Sequence, residues 1–171
     1  MTTRLGNAGD FQTVLPMMRQ HRLRQQQFDA ALYPLHPDAE ERFRRWAGRM
    51  AEDPRASLVV AEEDGHLIGY LLFTIERDLP IYLNDEFAIV REWWVEPAFR
   101  GRGAGKAMID RAAAQLARSG ILHLRVRTAA ADTDARAVLD RCGFRAGPSD
   151  MVKELPTAPA TTKRKKKRAP K

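Results

Sequence analysis

The stretch Glu96 to Asp110, EPAFRGRGAGKAMID, sets Gly101, Gly103 and Gly105 among Arg100, Arg102 and Lys106, between an apolar run and an alanine-rich one. Small residues let successive backbone amides approach an anion, a helix start adds the positive end of its dipole, and nearby cations add charge. The chemistry favoured is the holding of a phosphate or pyrophosphate. Two common phosphate loops do not fit. A Walker loop needs glycine where Arg100 stands and a hydroxyl where Ala107 stands, and the dinucleotide fingerprint needs glycine at Lys106. A plain solvent loop is the bland alternative, and it is disfavoured because each glycine at a helix start forfeits about 1 kcal/mol of helix propensity.

The elements that must position this turn can be read around it. TTRL reads as a short strand. A helix is expected from about Asp10, capped by that carboxylate, with Val14, Met17, Met18 and His21 near helical spacing. DAEERFRRWAGRMAED reads as a second helix with Phe43, Trp46 and Met50 on one side, ended by Pro54. SLVVAEEDGHLIGYLLFTIE reads as a hairpin turning at Glu63 to Gly65, and FAIVREWWV as a third run ended near Pro97. After the glycine turn come a helix closed by Gly120, a strand ILHLRVRT, a short helix in DTDARAVLDRCGF, and MVKEL as a last strand. This order predicts an α/β sandwich: a central mixed, mostly antiparallel sheet flanked by helices, with one βαβ crossover running through the glycine turn.

Composition narrows the classes. The chain's 171 residues suit one domain, and its formal charge of +7 is unevenly placed. Residues 156–171, PTAPATTKRKKKRAPK, hold seven of the 29 Lys and Arg and no acid, so residues 1–155 carry 22 basic and 22 acidic side chains. We therefore expect a domain over residues 1–155 and a disordered basic tail over residues 156–171. The tail reads as a solubilising arm, or more sharply as a weak, salt-sensitive and non-specific contact for nucleic acid. The single Cys142 excludes an internal disulfide, no apolar run approaches the roughly 20 residues of a membrane span, and MTTRLGNAGD lacks the apolar core of a signal peptide. The expectation is a cytoplasmic protein with no membrane partner.

Arg100-x-x-Gly103-x-Gly105, with Pro97 upstream and an alanine-rich helix downstream, resembles the acyl-CoA signature of the GNAT superfamily of N-acetyltransferases, whose third position admits glycine or alanine. VEPAFRGRGAGKAMIDRA matches that superfamily's long motif, and DTDARAVLDRCGFR resembles its second, ending in Gly143-Phe144. The element order agrees over residues 1–155. The resemblance implies direct transfer of an acetyl group from acetyl-CoA to an amine, whether a small amine, an aminoglycoside or a peptide amine, in a ternary complex and without a metal. It further implies that Arg100, Gly101, Arg102, Gly103, Ala104, Gly105 and Lys106 hold the pyrophosphate. The strand before the turn is expected to splay from its neighbour and bond the pantetheine arm around Trp93, Trp94 and Val95, the Val95 amide polarising the thioester carbonyl.

The nucleophile then belongs to the acceptor. A lysine-like amine with a pKa about 10.4 costs roughly 4.6 kcal/mol to present as free base at pH 7, so a proton acceptor is expected. Glu92, three residues before Val95, is the candidate base, with Asp85, Glu86 and His123 as alternatives; an exposed or salt-bridged strand carboxylate is the bland reading. Relatives place the base at positions held here by Arg91 or Ile89. They also carry a tyrosine, as proton donor to the departing thiolate, where this chain has Leu139, and asparagine where it has Asp132. Cys142 is a substitute donor or a small buried residue. Acceptor contacts are expected from QQQFDAALYPLHP, with Phe28 and Tyr33 as walls and Asp29 for charge, whereas Arg125 and Arg127 would favour an acidic acceptor. The missing tyrosine motivates one alternative, a CoA-binding sensor or scaffold with weak or no catalysis.

Overall fold

Alternation along the central strands decides the layers. The computed structural model describes residues 1–148 and 151–153. Its sheet runs β1 (Thr2–Leu5), β2 (Ala56–Glu63), β3 (His66–Arg77), β4 (Glu86–Val95), β5 (Leu124–Val126) in that spatial order. All neighbours are antiparallel except β4 and β5, which are parallel. On β2, Leu58 and Val60 face one side and Val59 and Ala61 the other; on β3, Tyr70 and Leu72 oppose Leu71 and Phe73 in the same way. Helices α1 (Ala8–Thr13), α2 (Leu15–Phe28) and α3 (Ala39–Glu52) cover the first face through Phe11, Val14, Met17, Met18 and Ala47. Helices α4 (Ala104–Arg118) and α5 (Thr133–Arg141) cover the second through Met108, Ile109, Ala112, Leu116 and Leu139. The α/β sandwich with a mixed, mostly antiparallel sheet is thus the fold observed.

One irregularity re-aims β4. Leu72 of β3 pairs with Glu92, but Phe73 pairs with Val90, so Arg91 is an extra residue in the ladder. Such a bulge shifts the side-chain alternation by one. Before it, Ala88 and Val90 face α4; after it, Glu92 and Trp94 face α2, while Trp93 and Val95 pack toward α4. Arg91 itself turns outward, donating to Thr74 Oγ1 at 2.9 Å and to Glu76 Oε1 at 2.6 Å.

Three local expectations are corrected. The first helix is capped by Asn7, whose side chain accepts from Gly9 and Asp10, while Asp10 reaches back to the Asn7 amide in a reciprocal capping box. That helix stops at Thr13 and α2 starts afresh with Pro16 in its first turn, where the missing N–H of proline is harmless. The strand expected over ILHLRVRT shortens to Leu124–Val126, because pairing with β4 ends at Val90. Met151 to Lys153 form no strand, and the rest of MVKEL with the tail at 156–171 lies outside the described residues. No described helix is long and apolar enough to cross a membrane.

Candidate active site

Beyond Val90, β4 loses its strand partner on one side. β5 pairs only with Ala88, Ile89 and Val90, whereas β3 follows β4 as far as Val95. The sheet therefore opens into a wedge whose β4 edge, Arg91 to Val95, leads directly to the glycine turn. An unpaired strand edge offers backbone donors and acceptors to an extended ligand. Trp94 and Val95 lie on this edge.

At the end of the wedge a short 3-10 turn, Pro97–Phe99, reverses the chain. Arg100 folds back, its Nε donating to the Val95 carbonyl at 2.9 Å and its guanidinium lying 4.4 Å from the centroid of the Trp94 ring. Gly103 caps α4 with φ 89° and no side-chain hydrogen bond, and a Cβ there would meet no other atom within 4 Å. The first amides of α4 thus open on free space with the helix dipole behind them, which suits an anion. Gly105 has a different reason: a Cβ on it would stand 2.9 Å from Cζ2 of Trp93. The third glycine of the motif makes room for an indole ring.

The flanking cations are loosely committed. Lys106 Nζ lies 2.6 Å from Asp110, and Arg102 lies 3.6 Å from Glu63 with its guanidinium over Phe99. Exposed pairs of this kind contribute little, so an incoming anion can draw either cation away at small cost.

Glu92 is placed where sequence reasoning did not expect it. Its residue is 1% exposed, turned under α2 by the bulge at Arg91. Arg22 forms an ion pair with Oε1, His21 Nδ1 lies 2.7 Å from Oε2, and the Tyr70 hydroxyl donates to Oε2 at 3.4 Å. A carboxylate in a dry interior is tolerable only with such partners. Burial pushes the Tyr70 hydroxyl well above its ordinary value, so it stays protonated and acts as a donor. Burial, followed by the charge of Arg22, holds His21 below its ordinary value. His21, Arg22 and Tyr70 were not assigned to the site from sequence. The available signal was a histidine on the same helical stripe as the buried Val14, Met17 and Met18.

The far end of α2 faces α5. Arg24 Nη2 lies 3.0 Å from Oδ1 of Asp132 and 3.5 Å from Oδ2 of Asp134, with its guanidinium 5.1 Å from the centroid of the Phe28 ring. Between α2 and the end of β4 runs an open groove of about 390 Å³, lined among others by Gln20, Arg24, Trp94, Glu96 and Arg100. Asp29 caps the C-terminus of α2 by donating its backbone N–H to the Gln25 carbonyl, its Oδ1 accepts from the Leu32 amide at 2.8 Å in the turn beyond, and the exposed Tyr33 follows. The alternative bases are set aside differently: Asp85 and Glu86 sit at the start of β4, where Arg55 and Arg77 hold the Glu86 carboxyl below its usual range, and His123 is exposed before β5. Leu139 is buried in the α4-side core and offers no proton. Cys142 ends α5, and burial pushes its thiol up.

Comparison with known proteins agrees with this geometry. The family model of acetyltransferases (GNAT) matches residues 17–144. The aminoglycoside N(6')-acetyltransferase type 1 of Stenotrophomonas maltophilia is 23% identical over 130 residues, spanning 74% of this chain and 83% of that protein. Among solved structures, a GCN5-related N-acetyltransferase from Ralstonia eutropha superposes with a TM-score of 0.72 at 21% identity, over 90% of this chain and 97% of that one. A ribosomal-protein-alanine N-acetyltransferase from Brucella melitensis biovar Abortus does so with a TM-score of 0.66 at 20% identity, over 91% and 100%. The family match covers most of the chain, including the wedge and the glycine turn, and on that ground the chain belongs to the GNAT family of acetyltransferases, enzymes that move the acetyl group of acetyl-CoA to an amine.

Proposed function

We propose that the turn from Arg100 to Lys106 receives the pyrophosphate of acetyl-CoA, that the edge at Trp94 and Val95 receives its pantetheine arm, and that the acceptor is a small cationic amine of the aminoglycoside type. The uncapped start of α4, with open space over Gly103, supports the first assignment. The unpaired edge of β4 beyond Val90 supports the second. Bound there, acetyl-CoA supplies the activated acetyl thioester. The Val95 amide is suited to hydrogen-bond its carbonyl oxygen as charge develops.

The observation that carries the acceptor class is a contrast of charge. Asp29 to Glu41, which follows the groove-lining Gln27 in the chain, holds four exposed carboxylates and no Lys or Arg; Glu40 and Glu41 are paired with Arg44, which leaves Asp29 and Asp38 as the carboxylates without a Lys or Arg partner. Arg125, which would have favoured an acidic acceptor, is instead paired with Asp78 at 2.9 Å and stacked 3.6 Å from the centroid of the Phe87 ring. Arg127 likewise has interactions of its own. Phe28 and Tyr33 remain as apolar walls and Asp29 as a charge for the acceptor. The similarity to an aminoglycoside acetyltransferase points the same way.

The test is release of CoA thiol by the full chain with acetyl-CoA and three acceptors: neamine, spermidine, and a peptide with an N-terminal alanine. Turnover of neamine at least tenfold above the peptide is expected. Equal or faster turnover of the peptide would overturn the acceptor class, and no thiol release with any of them would overturn acetyl transfer to amines of these kinds.

A further inference from the structure

Four polar side chains from three elements meet under α2: His21 and Arg22 of that helix, Tyr70 of β3 and Glu92 of β4. The Glu92 side chain is fully enclosed, and both its oxygens are engaged. It has no path to an amine in the groove. Arg22, a permanent cation, and His21 are the members that come toward solvent, with 32% and 15% of their side chains exposed against 0% for Glu92, and of these two only His21 can accept a proton. Its ring lies 5.9 Å from that of Trp94, which lines the groove.

The hydrogen bond fixes what the imidazole can do. Nδ1 lies 2.7 Å from a carboxylate that Arg22 pairs through its other oxygen; beside that cation the carboxylate accepts, so the proton of a neutral ring belongs on Nδ1, which leaves the Nε2 lone pair as acceptor. The charged groups around the ring are Arg22 and Arg24 from α2, Arg100 from the turn, Asp132 from α5 and Glu92 from β4, with the neutral Tyr70 behind. Arg22 balances Glu92, so a protonated His21 would add an uncompensated buried charge. The ring is therefore neutral across the physiological range, with its lone pair available.

We propose that His21 is the proton acceptor of the transfer reaction and that Glu92, through Nδ1, is the residue that fixes its tautomer and orientation. The inference rests on the acetyl-transfer reading above. As the amine nitrogen bonds to the acetyl carbon and the carbon–sulfur bond breaks, the N–H proton passes to His21 Nε2, the thiolate takes a proton from solvent, and His21 returns its own to water. A weakly basic imidazole suits the proton of a nitrogen already bonded to the acetyl carbon, which is far more acidic than a free ammonium. The reacting nitrogen of the acceptor accordingly enters unprotonated, while its other amines keep their charge. Sequence spacing placed the base on β4; the bulge at Arg91 buries Glu92 and passes the role to α2, 71 residues away in the chain.

His21→Asn keeps an N–H directed at Glu92 and removes the basic nitrogen. With acetyl-CoA and neamine, kcat is expected to fall by about 10²- to 10⁴-fold, with acetyl-CoA affinity by calorimetry unchanged. His21→Ala is expected to recover turnover in added imidazole, which a purely structural histidine would not. Nitrogen-15 NMR of the wild-type chain is expected to show the Nδ1–H tautomer at His21, and needs no variant to fold. An H21N enzyme within threefold of wild-type kcat, or an Nε2–H tautomer, overturns the proposal while leaving acetyl transfer intact. A wild-type chain inactive on neamine, spermidine and the alanine peptide overturns the acetyl-transfer reading, and this proposal with it.

Discussion

Gly105, at the second position of α4, lies against the indole of Trp93: a Cβ added there would approach Cζ2 to 2.9 Å and Cε2 to 3.4 Å. Gly105→Ala should gain about 1 kcal/mol of helix propensity. It should lose more by overpacking, which costs about 1 to 3 kcal/mol where a ring cannot yield. Trp93 is wedged against the α4-side core, so the loss wins. Chemical denaturation of Gly105→Ala is expected to show a net destabilisation of about 1 kcal/mol. A more stable variant would mean that the ring moves freely.

Gly103 separates backbone strain from charge. Its φ of 89° is costly for any other residue, yet nothing stands within 4 Å of a Cβ there. Gly103→Ala and Gly103→Glu should share the same loss of stability, about 1 to 2 kcal/mol. Only Gly103→Glu sets a negative charge over the start of α4. Calorimetry is expected to show acetyl-CoA affinity lowered more than tenfold in Gly103→Glu relative to Gly103→Ala. Equal affinities would remove the pyrophosphate from this turn.

Asp132 both caps α5, accepting from the Ala135 amide at 3.1 Å, and pairs with Arg24 at 3.0 Å. Asn at this position, the residue the family resemblance leads one to expect, would keep the cap and remove the charge. Asp132→Asn should leave stability within about 1 kcal/mol of wild type, because a partly exposed ion pair contributes little. It should also tighten acetyl-CoA severalfold, since Arg24 is left with only the exposed Asp134 as a charged partner and a negative charge leaves the edge of the groove. Weaker binding in titration of D132N would show that the Arg24–Asp132 pair organises the groove.

The glycine turn, the layer order and the βαβ crossover were legible in the sequence because each rests on local patterns: period two in β2 and β3, an apolar stripe on α4, and glycines at the turn. Gly105 was legible as a motif residue but not for its reason, since Trp93 meets it only after β4 and α4 pack together. Glu92 was singled out as the candidate base, while its burial under α2 was hidden. A regular strand would have given Val90, Glu92 and Trp94 a common face; one extra residue at Arg91 divides them, and a bulge leaves no mark in composition. His21 read only as a member of the apolar stripe of its helix, and nothing local ties it or Arg22 to a carboxylate 71 residues beyond His21 in the chain. The first helix was misdrawn for a smaller reason: both Asn7 and Asp10 are good caps, and only the backbone shows that they cap each other.

Acid sensitivity should trace in part to Asp10. Its carboxylate accepts from Arg4 Nη1 at 2.6 Å and from the Asn7 amide at 2.7 Å, and the hydrogen bond from Arg4 holds it below the usual carboxylate range despite its burial. With the native pKa depressed, the unfolded chain binds more protons than the folded one between the two pKa values, so stability rises with pH there. The contribution is complete above the unfolded value of about 3.9 and is lost as pH falls through the lower native value. Asp10→Asn removes this term, so its denaturation midpoint should change less than that of wild type between pH 5 and 2, from a lower starting stability at pH 7. Parallel pH profiles for the two proteins would show that Asp10 carries no such linkage.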